Sequence, residues 1–308
     1  MSKIDLTDML KIWGCESSLR IIKERYELDL TFNNLNQDER ETSILQVLKV
    51  LDSDLVHAGP HRVKDWELGW GKNLENFKAT NKEEASWPGY FEKSKIIRWK
   101  QSWIKPNDSR LEQKLLAVLV DSLLLKFANN TDLSIYEFGC GTGHHLFRIR
   151  SLFPEKKLIG LDWAKSSQEI IFSYANSRSD DNLFGLNFDF FNPDLNLEID
   201  KSSLFLTVAS LEQTYEDFTK FVDFILDVKP RIVLNIEPME EFLNPDNLMD
   251  FLSLKYFSKR KYLKKYFLYL TELERQGKIV IHDARRSYLG SFFIDGYSIV
   301  VWSPRGDS

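Results

Sequence analysis

The sequence predicts an α/β fold: a mostly parallel, seven-stranded, doubly wound sheet that ends in an antiparallel hairpin, preceded by a helical N-terminal accessory region. Three observations predict it. From Leu133 onward, short apolar runs alternate with segments of helical periodicity, the mark of a parallel sheet. The first run leads into glycines at alternate positions, Gly139, Gly141 and Gly143, and then into Leu146, Ile149, Leu152 and Phe153 at helical spacing. The last run, Phe292 to Trp302, contains Asp295-Gly296, a pair that favours a tight hairpin turn.

Composition narrows the class. The 308 residues suffice for one large or two smaller domains, and 43% hydrophobic content with 22 Phe is ample for a packed core. A net charge of −5 and a pI near 5.7 argue against nucleic acid as the default partner. The two cysteines, Cys15 and Cys140, do not make a disulfide framework and fit a reducing compartment. The first residues lack a signal-peptide core, and no uncharged apolar run reaches spanning length, so a cytoplasmic protein without a membrane segment is expected. The spacing of His, Cys, Asp and Glu shows no zinc-type ligand set.

The accessory region is placed at 1–108. Thr7 is the expected cap of a short helix containing Leu10, Ile12 and Trp13. Residues 37–51 carry Ile44, Leu45, Val47, Leu48 and Leu51 on one helical side. The segment 57–88 is rich in Trp, Gly and charge with little periodicity, which reads as a loop-rich substructure or as a lid ordered by its aromatics. Residues 93–104, with Ile96, Ile97, Trp99 and Trp103, look helical. The second domain, 109–308, opens with Ser109-Arg-Leu-Glu112, a capping-box pattern, before a helix bearing Leu111, Leu115, Leu119 and Leu123. Strands are expected at 133–138, 157–162, 183–190, 203–209, 231–236 and from 278. Asn244-Pro245 is expected to open a helical region reaching about 276.

The stretch Glu137-Phe138-Gly139-Cys140-Gly141-Thr142-Gly143 differs from a dinucleotide fingerprint, which would need glycine where His144 stands. It resembles motif I of class I S-adenosylmethionine (SAM)-dependent methyltransferases, and the resemblance extends over roughly 110–303. That resemblance implies SAM as the cofactor. It places Glu137 near the methionine amino group, and the loop of Gly139, Cys140, Gly141 and Gly143 under the sulfonium end. It gives the ribose hydroxyls to Asp162, 19 residues after Gly143, with Trp163 beside it. By the same resemblance Asp189 accepts from the adenine amino group while Phe190 or Phe191 packs on the ring; otherwise Asp189 is a turn residue and the Phe is core. The resemblance sets Ser210 and Leu211 at the cofactor rim. It turns Glu212 toward substrate, with Gln213 where the family often has His.

Catalytic candidates are His145 on the first turn of the motif helix, Glu212, and Glu237 at a strand end. Trp70, Tyr90 and Arg98 are candidates for a lid that meets the cofactor or substrate. His282, with Asp283, Arg285 and Arg286, is a candidate contact for an anionic substrate. The run Lys255–Lys265 interleaves bases and aromatics, which reads either as an RNA-attracting face or as a core stripe with a solvated lysine side. The expected activity is methyl transfer to a small or medium-sized acceptor, at O or N, such as a sugar or another biosynthetic precursor. An RNA or protein methyltransferase and a non-catalytic SAM-binding scaffold are the alternatives. Oligomeric state is left open.

Overall fold

The computed structural model describes residues 1–89, 95–129 and 132–306. In chain order the accessory elements are β1 (Ser2–Lys3), α1 (Leu6–Ile12), α2 (Leu19–Arg25), β2 (Thr31–Asn34), α3 (Gln37–Asp52), α4 (Val63–Thr80), β3 (Ile97–Trp99) and β4 (Ser102–Pro106). The remainder comprises α5 (Leu111–Ala128), β5 (Ser134–Phe138), α6 (His144–Leu152), β6 (Leu158–Asp162), α7 (Lys165–Arg178), β7 (Leu183–Asn187) and β8 (Ser203–Val208). Then come α8 (Thr219–Val228), β9 (Ile232–Glu237), α9 (Leu248–Arg260), α10 (Tyr266–Arg275), β10 (Ile279–Arg285), β11 (Leu289–Gly290) and β12 (Ser298–Pro304).

The main sheet has seven strands in the order β10-β12-β9-β8-β5-β6-β7. Strands β9, β8, β5, β6 and β7 pair in parallel, and β12 runs against both β9 and β10. Side chains alternate faces along each strand, so residues of opposite parity enter two different cores. Ile135, Leu204, Leu206 and Val301 pack with α5, α6 and α7, whereas Tyr136, Phe138, Phe205 and Trp302 pack with α8 and α10. The polar group inside the second layer is satisfied: Tyr266 Oη and Trp302 Nε1 donate to Asn235 Oδ1 at 2.9 Å, and Asn235 Nδ2 donates to Thr207 Oγ1 at 3.0 Å. The chain builds outward from β5 in both directions, so β5 and β8 flank the point where strand order reverses. Open α/β sheets bind ligands outside the strand ends at such a point.

The accessory region carries the helices expected near Leu10 and over 37–51 and, in addition, a five-stranded sheet, β1-β2-β4-β3-β11. The helix expected over 93–104 is instead the β3–β4 hairpin, turned by Lys100 (φ 46°) and Gln101 (φ 59°). A turn with both central residues at positive φ normally announces itself with Asn or Gly, and here it does not. The segment 57–88 is largely the 18-residue helix α4. Gly69 and Gly71 hide it in the sequence; each sits where an added Cβ would meet nothing within 4 Å. The main sheet's antiparallel partner strands do not turn at Asp295-Gly296. The chain leaves β10, gives β11 to the accessory sheet opposite Arg98 and Trp99, and returns as β12.

Helix ends differ as well. Asp5, not Thr7, caps α1. Glu112 makes no capping box; it accepts from Tyr297 Oη at 3.0 Å. Asn247 caps α9, and the long helical region is broken between α9 and α10 at Lys261 and Lys265, both with left-handed φ. Among the described residues no helix is long and apolar enough to cross a membrane.

Candidate active site

A cavity of about 1070 Å³ opens at the ends of β5, β6 and β8, beneath α4. It exceeds the roughly 300–1,000 Å³ of a pocket for one drug-sized ligand, so cofactor and acceptor can share it. Its floor is the glycine loop between β5 and α6. Gly139, Gly141 and Gly143 have φ of 70°, 55° and 75°, values that favour glycine. A Cβ on Gly139 would lie 2.4 Å from Ser210 Cβ. The loop is tied to the next strand: Gly139 N and Cys140 N donate to Leu161 O, and Gly141 N donates to Asp162 Oδ2 at 2.9 Å. Cys140 is buried, and its thiol is pushed well up by that burial.

Two acids lie under and beside the loop. Glu137 is 1% exposed, and its Oε2 is buried with no hydrogen-bond partner among the described residues. Burial, then the neighbouring Asp162, raises its carboxyl well above the ordinary value. Asp162 also accepts from Ala164 N at 2.8 Å, and burial pushes it up to about 6. A buried carboxylate oxygen without a donor is costly, and a ligand ammonium group would satisfy it. The residues present therefore fit the methionine and ribose ends of SAM.

On the far side of β6, Trp163 stacks on Phe191 (5.9 Å between rings), and Phe190 packs edge-on against Phe188 and Phe221. Trp163, Phe190 and Phe191 line the cavity, and Asp189 does not. Asp189 instead accepts from Phe191 N at 2.8 Å and Asn192 Nδ2 at 3.3 Å, so it builds the turn that presents the rings.

Past β8, Ser210 Oγ donates to Phe138 O at 2.9 Å. Glu237 does not reach the cavity. Its two oxygens accept from Ser210 N, Leu211 N and Glu212 N at 3.1–3.2 Å, fixing the turn that follows β8. Burial pushes Glu237 up to about 7 against those donors. Leu211 gives this turn its main chain and sends its side chain into the core. Glu212 does line the cavity, with Gln213 Nε2 donating to its Oε1 at 3.0 Å. Burial, then Glu237, pushes Glu212 up to about 8. His145 lines the cavity with Nδ1 3.2 Å from Arg148 Nη2, and burial lowers it to about 4, so it is a neutral ring.

Among the lid candidates, Trp70 lies across the loop: a Cβ on Gly141 would come within 3.1 Å of its Cζ2. Trp66 stacks on it at 5.2 Å. Helix α4 is latched by Glu67, which accepts from Ser166 N at 3.1 Å at the start of α7, and by Asn73, which donates to Ala85 O and Trp87 O. Tyr90 lies outside the described residues. Arg98 does not meet the crevice. It is 1% exposed and donates to Met249 O, Ser253 Oγ, Phe292 O and Phe293 O. It fastens β3 to α9 and to the chain before β12.

His282, with Ser303 Oγ 2.8 Å away, sits at the outer strand, away from the cavity. In the basic run, Phe257, Leu263 and Leu270 are core and the lysines face outward, except that Arg260 turns into the cavity. Arg62, Trp66, Glu112, Tyr256, Arg260 and Tyr262 complete the walls, and the sequence does not single them out one by one as site residues. No motif frames them, and they converge only through tertiary packing.

No protein-family model matches the chain. A stretch of 120 residues, 39% of the chain, is 26% identical to the protein-lysine N-methyltransferase EFM4 of Saccharomyces cerevisiae and covers 44% of that protein. The solved cyclase SpnF superposes with a TM-score of 0.50 at 15% identity, over 82% of this chain and 99% of its own. Magnesium protoporphyrin IX methyltransferase from Synechocystis PCC 6803, solved with S-adenosylhomocysteine (SAH), gives a TM-score of 0.45 at 12% identity, over 64% and 85%. With its strand order and the SpnF superposition, the chain has the class I, Rossmann-like methyltransferase fold.

Proposed function

We propose that the chain binds SAM in this crevice and transfers its methyl group to a small or medium-sized acceptor. The observation that carries the reading is Glu137, whose buried Oε2 has no donor among the described residues, beneath a glycine loop held open by Asp162. SAM, when bound, supplies a methyl carbon whose bonding pair leaves with sulfur as a neutral thioether. The chain's own residues then have three tasks. Glu137 and Asp162 hold the ammonium and ribose groups, and the rings of Trp163, Phe190 and Phe191 flank the base. Trp66 and Trp70 on α4 cover the loop and exclude water. Glu212 faces the acceptor and is the candidate to take its proton, since its carboxyl is pushed to about 8. Alignment of two bound reactants is worth up to roughly 7–11 kcal/mol, which explains why cofactor residues are more numerous here than proton-transfer groups.

A protein acceptor is the second reading, favoured by the stretch similar to a protein-lysine methyltransferase. A scaffold without methyl transfer is the third, favoured by the superposition on a cyclase. Calorimetry with SAM, SAH and NAD on wild type and Asp162→Ala tests the proposal. Binding of SAM and SAH but not NAD, lost in Asp162→Ala, supports it. A folded protein that binds neither SAM nor SAH overturns it.

A further inference from the structure

We infer that the acceptor end of the crevice is built for an anion that also carries a hydroxyl group, which makes the reaction O-methylation of an acidic small molecule. The inference rests on the methyl-transfer reading above and adds the substrate class.

Two features meet at this end. The first is a set of donors, two of them without acceptors. Arg260 Nε and Trp66 Nε1 are buried, and neither has a hydrogen-bond partner among the described residues. Arg62 sits 5.0 Å above the Trp66 ring and pairs with the exposed Asp65 at 3.3 Å. Arg62, Tyr256 and Arg260 line the same cavity. Unmet buried donors are costly, and planar guanidinium donors match carboxylate and phosphate oxygens.

The second is a set of acceptors beside them. Gln213 spends its Nε2 on Glu212, and this fixes the amide so that Oε1 is left buried and without a donor among the described residues. Tyr262 lies between the halves, with Glu212 on one side and Arg260 on the other. Its ring lies 5.4 Å from the Arg260 guanidinium. Gln213 Oε1 and Glu212 are placed to receive one O–H hydrogen. Tyr256 and Phe293, stacked at 5.1 Å, form an apolar wall for the acceptor's body.

An amine would also satisfy Gln213, but charge decides against it. Of the other acids lining the cavity, Glu137 and Asp162 face the cofactor, Glu112 holds Tyr297, Asp65 pairs with Arg62, and Glu84 is exposed. An ammonium group at Glu212 would therefore sit beside the Arg260 guanidinium without displacing it.

The test is calorimetry on SAH-saturated protein with four probes: 2-hydroxybenzoate, benzoate, phenyl phosphate and a lysine-containing peptide. The expected result is binding of the anions but not the peptide, with 2-hydroxybenzoate tighter than benzoate. Whether benzoate or phenyl phosphate is tighter identifies a carboxylate or a phosphate acceptor. Arg260→Gln and Arg62→Gln should each weaken anion binding at least tenfold, and either folded variant carries the test alone. Glu212→Gln should remove the preference for 2-hydroxybenzoate over benzoate. Peptide binding tighter than every anion, or unchanged anion binding in the arginine variants, overturns the inference. SAH binding without anion binding overturns it too but leaves methyl transfer standing; failure to bind SAH overturns both.

Discussion

Glu137→Gln separates cofactor binding from fold stability, because the two should move in different directions. The wild-type carboxyl is 1% exposed, next to Asp162, with one oxygen that meets no donor among the described residues. In the apo protein it is held against its preference: burial and a like-charged neighbour disfavour ionisation, and no hydrogen bond to that oxygen compensates. The amide keeps the shape and cannot ionise, so apo stability in urea should hold or rise. The ligand ammonium, however, loses a charged acceptor. A hydrogen bond to a charged group is worth about 1.5–3 kcal/mol, so the Kd for SAH should rise about 10- to 150-fold. Calorimetry with SAH and equilibrium unfolding in urea read the two quantities. Unchanged SAH affinity, or a stability loss above about 1 kcal/mol, would refute the assignment of Glu137 to the cofactor.

Four further outcomes are expected. Glu237→Gln should destabilise the protein by about 2–4 kcal/mol in urea, because one amide oxygen cannot replace a carboxylate that takes three main-chain N–H groups; a change below about 0.5 kcal/mol would return Glu237 to the catalytic candidates. Arg98→Met should cost about 3–5 kcal/mol, since it removes four hydrogen bonds from a buried guanidinium and takes that donor from Phe293 O, while the Kd for SAH stays within about threefold; a roughly tenfold change in SAH affinity would place Arg98 back at the site. Trp70→Ala should raise the Kd for SAH at least about tenfold, and an unchanged Kd would end the lid assignment of α4. Apo stability should fall as pH rises from about 6.5 to 8.5. Folded Glu112 and Glu237 keep protons that the unfolded chain has released until about pH 7, and Glu212 until about pH 8, while His144 and His145, uncharged when folded, oppose the fall only near pH 6.5, where the unfolded rings are still partly charged. Glu212 alone contributes on the order of 2 kcal/mol to that fall, so Glu212→Gln should flatten the profile, and a melting temperature that rises with pH would refute it.

The sheet was legible because each strand is a short apolar run followed by a helical period, and parity alone sends Ile135 and Tyr136 to opposite cores. The loop was legible because three positive-φ positions demand glycine. Where local signals were ambiguous, the reading failed for identifiable reasons. Ile96, Ile97, Trp99 and Trp103 fit a helical period, but a turn at Lys100-Gln101 folds them into a hairpin that fills an interface with α9 and β11. Glu112 fits a capping box, yet Tyr297, remote in sequence, takes its carboxylate. Glu237 ends its strand as a ligand-binding acid would, but the adjacent turn offers three N–H groups, and these claim it.

By itself, then, the sequence determined the layered α/β fold, the glycine loop and the two acids that flank it. These rest on periodicity and on local backbone requirements, which a few neighbouring residues carry. Only the tertiary structure decided that α4 covers the loop, that Arg98 and Glu237 are anchors, and that Arg62, Trp66, Gln213, Arg260 and Tyr262 converge on one end of the crevice. Those outcomes depend on which distant groups compete for the same donor or acceptor, and that competition is settled only when the chain is packed.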